Sequence, residues 1–215
     1  LQYFSHKPHD AAEILLVADN LLASSEGFPP EMLYKWEGEI MALKAWVSRC
    51  EGNIEESIQL SEQALERLSE KEMFVRCLNI LSMADALCSI GNSTQAAEVI
   101  SDCIVSCKKA GSPLGVVAGS YNLAELLIKQ GRLESAKNAL NQALDWARVK
   151  GVDTFPSSAP IYIGLGEILR EQNDLKLAEE YFRTGIEYSE MGYKTILGQG
   201  YLGLSHLKSS AGDMD

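Results

Sequence analysis

"YNLAELLIKQGRLESAKNALNQAL", residues 121–144, carries an apolar stripe of helical spacing on each side of one short turn signal, "QGR" at Gly131. A glycine there supplies the left-handed backbone that ends a helix and lets the chain reverse. Ala124 stands seven residues before the turn, and Ala136 and Ala143 stand five and twelve after it. Small side chains at such places let two antiparallel helices approach closely while larger neighbours fill the grooves beside them. The stretch therefore reads as helix A, tight turn, helix B.

The same unit recurs along the chain. "EGN" at Gly52, "IGN" at Gly91, "QND" at Asn173 and "AGD" at Gly212 join "QGR" in a series with steps of 39, 40, 42 and 39 residues. Seven before each turn stand Ala45, Ala84, Ala124, Gly166 and Ser205; the residue before these is large and apolar except at Lys44. Five after come Ser57, Ala96, Ala136 and Ala178, and twelve after come Ala64, Cys103, Ala143 and Gly185. No helix pair of this kind buries its stripe alone, so neighbours must stack.

The expected fold is all-α: a right-handed superhelix of antiparallel helix pairs with a period of about 40 residues. The A helices fall near 31–50, 73–90, 114–130, 158–172 and 195–210, and the B helices near 54–69, 94–110, 133–149 and 175–190. An opening helix near 10–24 has no upstream partner. The whole of 1–215 reads as one repeat domain, with an orphan helix in 1–29, repeats at 30–70, 71–112, 113–152 and 153–191, and a truncated repeat at 192–215. Both ends look cut in mid-repeat and no initiator Met is present, so a fragment of a longer protein is expected.

Composition narrows the function. The net charge of −11 opposes contact with nucleic acid or anionic membranes, and no Lys/Arg-rich run relieves it. No apolar run is long enough to cross a bilayer and no signal peptide precedes the repeats, so a cytoplasmic location is expected. The five cysteines, Cys50, Cys77, Cys88, Cys103 and Cys107, form no CxxC pair and read as small buried hydrophobes. Cys103 and Cys107, four apart on one helix face, are a weak metal signal. His6 and His9 stand three apart in "HKPH", but Pro8 speaks against a helix there. "GSPLG" (111–115) and "GVDTFPSSAP" (151–160) read as loops between repeats. No catalytic constellation stands out, so no enzyme is expected.

"LKAWVSRCEGNIEESIQLSEQAL" (43–65), the 121–144 stretch and "IYIGLGEILREQNDLKLAEEYFRTGIE" (161–187) resemble successive tetratricopeptide (TPR) repeats of the MalT-like region in large LuxR-type ATP-dependent transcriptional regulators. The resemblance implies a non-catalytic sensor arm that receives an inducer or an inhibitory protein. It also implies ATP in a separate upstream module and DNA contact by a C-terminal helix-turn-helix domain. This sequence has neither a GxxxxGK[ST] phosphate loop nor a basic recognition helix, so no cofactor is expected in it.

A curved stack of helix pairs turns its A helices to the inner face. Six before each turn stand Trp46, Asp85, Glu125, Glu167 and His206; three before stand Arg49, Cys88, Ile128, Arg170 and Ser209; ten before stand Ala42, Leu81, Tyr121, Ile163 and Leu202. Offsets of three and four keep these rows on one helix face. Trp46, Arg49, Asp85, Tyr121, Glu125, Glu167 and Arg170 are thus the expected ligand-binding residues, suited to a sugar or a peptide. The bland reading is that Trp46 and Tyr121 plug gaps between repeats while the charges solvate a groove. An effector across several repeats would change curvature or self-association; the alternative is a general TPR adaptor for a peptide segment.

Overall fold

The computed structural model describes residues 8–24 and 27–211, and no strand occurs among them. The helices are α1 (Pro8–Ala23), α2 (Pro30–Cys50), α3 (Ile54–Arg67), α4 (Met73–Ser89), α5 (Ser93–Ala110), α6 (Pro113–Lys129), α7 (Leu133–Val149), α8 (Ala159–Glu171), α9 (Leu175–Glu190) and α10 (Leu197–Ala211). Short 3-10 turns at Glu70–Glu72, Pro156–Ser158 and Lys194–Ile196 lead into α4, α8 and α10. Each expected helix appears, with its ends shifted by at most two residues. Pro8 opens α1 instead of breaking it, because proline lacks only an N–H that the first turn leaves unpaired anyway. His9 lies in that first turn; His6 and the turn at Gly212 fall outside the described residues.

The turns are built alike. Gly52, Gly91 and Gly131 have φ of +87°, +80° and +73°, and Asn173, at +62°, takes the same conformation in the fourth repeat. In every case the next residue's N–H reaches back five residues. Asn53 donates to the Ser48 carbonyl at 2.8 Å, Asn92 to Leu87 at 2.9 Å, Arg132 to Leu127 at 2.8 Å and Asp174 to Leu169 at 2.9 Å. This Schellman closure satisfies carbonyls the helix end would orphan. Asp174 then caps α9, its carboxylate accepting from the Leu177 N–H. A side chain at φ near +70° costs about 1–2 kcal/mol, so Gly131→Ala should lower the melting temperature while Asn173→Gly should not. Equal melting of wild type and Gly131→Ala in a circular-dichroism scan would contradict the shared turn.

The small-residue rows are buried as the packing rule requires. Ala45, Ala84 and Ala124 are 0–3% exposed, and Ser57, Ala96, Ala136, Ala178, Ala64 and Ala143 are fully buried. Gly166 and Gly185 are buried as well. Ser205 breaks the row: it is exposed on α10, and no described helix follows to cover it. Where the large apolar residue is replaced by Lys44, its ammonium pairs with Asp19 of α1 at 2.7 Å.

The chain forms two compact units, residues 1–103 and 104–215, with the boundary inside α5. In the first, α2 packs on its B partner α3, α3 packs on α4, and the A helices α2 and α4 touch. Helix α3 ends without a glycine; Arg76 of α4 instead donates to the Leu65 carbonyl at 2.8 Å and to that of Leu68. In the second unit α6 pairs with α7 and α8 with α9, while the A helices α6, α8 and α10 lie side by side. Its core centres on Phe182, fully buried with Ile163, Leu169, Ala178 and Leu207. Room for that ring comes from Gly166 and Gly203, where an added Cβ would sit 2.9 and 2.3 Å from ring atoms.

The 151–160 segment folds into the short 3-10 turn before α8, where buried Ser158 donates to the Val152 carbonyl at 2.8 Å. Cys77, Cys103 and Cys107 are buried as expected, whereas Cys50 is exposed at the end of α2 and Cys88 is half-buried. No described helix is long and apolar enough to cross a membrane.

Candidate binding faces of the A helices

In the first unit, α2 and α4 run side by side and leave a cleft of about 300 Å³ between them. Leu43 and Trp46 line it from α2, and Phe74 and Leu78 from α4, with Glu39 and Ser82 as polar members. Phe74 is 57% exposed, an aromatic edge held in water at the cleft wall. Arg49 Nε donates to Ser82 Oγ at 3.2 Å, which fixes the guanidinium beside the cleft. Trp46 has two faces: one lines the cleft, the other packs on Leu15 and Val47. It is therefore a gap-filler between repeats as well as a cleft wall. Asp85 is exposed on α4, one turn beyond Ser82.

The second unit offers a polar cluster across three A helices. Tyr121 of α6 is half-buried, and its hydroxyl lies 3.0 Å from Glu125 Oε1 and 2.6 Å from Gln199 Oε1 of α10. A phenol has one proton and two lone pairs. That single proton serves Glu125 Oε1 or Gln199 Oε1, the two acceptors within reach of the hydroxyl. Burial pushes the Tyr121 pKa far above the usual phenol range, and the charges of Glu125 and Glu167 push it in the same direction. The hydroxyl therefore remains a fixed neutral donor. Glu167 of α8 forms an ion pair with Arg170 at 3.0 Å, and Arg170 also reaches Glu171. Arg170 is thus engaged by two carboxylates.

A sequence model of the MalT-like TPR region matches residues 38–215. The chain belongs to this family. Solved structures of low identity share the all-α helical-repeat fold. BtubC (BKLC) from P. vanneervenii superposes with a TM-score of 0.71 at 16% identity, over 98% of this chain and 85% of that one. RapI in its apo form gives 0.64 at 15%, over 90% and 68%. TPR-like repeats of a kinesin light chain from Podosopora anserina give 0.57 at 15%, over 85% and 89%. A search of curated protein sequences found no significant match.

On this MalT-like frame the seven expected site residues fall into two groups. Trp46 lines the cleft of the first unit and Arg49 bonds to Ser82 of its wall, with Asp85 one turn beyond on α4. Tyr121, Glu125, Glu167 and Arg170 lie on the A helices of the second. The row ten before each turn is not uniformly a surface row: Ala42 is 9% and Ile163 1% exposed, so these two belong to the core. The offset of ten sits at the edge of the A-helix face, where helix packing decides the side. Gln199, Phe74 and Leu78 lay outside the rows. Glu39, Leu78 and Gln199 share an offset of thirteen before the turn, one helical step further along the same face, and that periodicity was the available signal.

Proposed function

We propose that this MalT-like TPR region is the sensor arm of a LuxR-type ATP-dependent transcriptional regulator, receiving an effector on the A-helix face of its second unit. The observation that carries the reading is Tyr121 of α6 joined to Gln199 of α10 across the A helix α8. An effector that takes the place of Gln199 on the Tyr121 hydroxyl breaks the link between α6 and α10 and so biases how three A helices sit. Such a ligand shifts an inactive–active equilibrium only by its difference in affinity for the two states. The donors and acceptors here, a neutral phenol, two carboxylates, an amide and a guanidinium, suit a polyhydroxylated small molecule such as a sugar. In this reading ATP and DNA are handled by other modules, self-association follows from the repeat surface, and the arm works in the cytoplasm without catalysis.

The cleft between α2 and α4 favours a second reading, a TPR adaptor for a peptide. Its walls are largely apolar and aromatic, the surroundings in which a peptide's apolar side chain anchors. A thermal-shift screen of sugars and short peptides on wild type, Glu125→Gln and Trp46→Ala separates the two. Under the sensor reading, sugar shifts vanish in Glu125→Gln and persist in Trp46→Ala. Peptide shifts lost only in Trp46→Ala favour the adaptor. Hits that bind all three proteins equally contradict both sites.

A further inference from the structure

We infer that the cleft between α2 and α4 binds a free indole-type ligand, a flat aromatic ring with one N–H donor. The ring lies against Trp46 of α2 and Phe74 of α4, and its N–H is donated to Asn79 Oδ1. This site is independent of the effector face in the second unit. It gives the cleft a small ligand where the second reading gives it a peptide.

The deciding residue is Asn79. It lines the cleft from α4, is 2% exposed, and donates from Nδ2 to the Ser61 carbonyl of α3 at 2.8 Å. A carbonyl only accepts, so the orientation of the amide is fixed and Oδ1 is the group left over. Oδ1 is buried and has no hydrogen-bond partner in the protein. An unpaired buried acceptor is costly. The repeat does not require one here: twelve before the turn the other units carry Ile40, Gly119, Ile161 and Gly200. An amide at a cleft wall, where the other repeats use hydrocarbon or no side chain, points to a ligand contact.

The rest of the lining selects the ligand. Leu43, Val75 and Leu78 make the cleft apolar, and its walls carry one aromatic ring each, Trp46 and Phe74. Facing aromatic surfaces suit a flat ring. The other polar groups already have partners: Ser82 Oγ accepts from Arg49 Nε at 3.2 Å, and Glu39 pairs with Lys35 at 3.8 Å. The complementary guest is therefore apolar except for one donor. Indole meets this description, since its N–H donates and it offers no acceptor. A cleft of about 300 Å³ is at the small end for a ligand site, which suits a bicyclic ring better than a longer chain.

Isothermal titration calorimetry with indole and benzofuran tests the site, because benzofuran keeps the shape of indole and replaces the N–H by an oxygen. Indole should bind the wild-type chain saturably, and benzofuran about ten- to a hundredfold more weakly, the loss expected when the buried acceptor stays unpaired. Asn79→Ile carries the residue that two other repeats use at this offset, so it should fold, with circular dichroism as the check, and should lose indole binding. Trp46→Ala should lose it as well. The benzofuran comparison needs no variant and stands even if Asn79→Ile misfolds. Absence of saturable indole binding, equal binding of benzofuran, or full indole affinity in folded Asn79→Ile overturns the site. Tighter binding of N-acetyltryptophanamide, the ring as a peptide carries it, overturns the assignment to a free ligand.

Discussion

Phe182→Ala should lower the unfolding free energy by about 3–5 kcal/mol, the range for removing a fully buried aromatic ring. The ring is entirely shielded from water, and its neighbours cannot close the gap easily. Gly166 and Gly203 lie against it from α8 and α10, so both flanking helices meet the ring through backbone and not through side chains that might swing inward. Denaturant unfolding followed by circular dichroism measures the effect. A loss under about 1 kcal/mol would mean that the second unit does not depend on this contact.

Gly185→Val should destabilise by about 3 kcal/mol, for the opposite reason. A Cβ at Gly185 would meet Ile163 Cγ1 at 2.5 Å, the Ile163 nitrogen at 3.2 Å and the Ala159 carbonyl oxygen at 3.3 Å. Two of these are backbone atoms of α8 and yield only if the whole helix moves. The valine also restricts its own χ1 within a helix. Gly198 provides the control, since nothing lies within 4 Å of a Cβ there. Gly198→Ala should be neutral or stabilise by up to about 1 kcal/mol through helix propensity. If both variants melt together, close A–B approach is not what holds the pair.

Most of this packing was legible before any coordinates. The turn residues and the rows at Ala45, Ala136 and Ala143 are set by local rules: only Gly or Asn takes the left-handed turn cheaply, and only a small side chain fits at a helix crossing. Phe182 was less visible because its row varies in size. Nine after the turn stand Ser61, Ile100, Leu140 and Phe182, all buried, and the largest of them is accommodated by Gly166 and Gly203 on neighbouring helices. Such compensation spans repeats and leaves no mark at a single position. The same limit applies to the candidate site. Tyr121 and Glu125 sit four apart on one helix and were readable as a pair, whereas Gln199 is 78 residues from Tyr121 and joins it only through the stacking of α8 between them. Trp46 shows a different ambiguity, since an aromatic on an A helix serves packing with one face and exposure with the other.

The central claim is that an effector seats on the A helices of the second unit, and amide hydrogen exchange by mass spectrometry tests it most directly. With a sugar or peptide found by thermal shift, the account predicts slowed exchange centred on α6, α8 and α10, reduced in Glu125→Gln at equal ligand concentration. Protection confined to the B helices α7 and α9, or to the first unit alone, would contradict it.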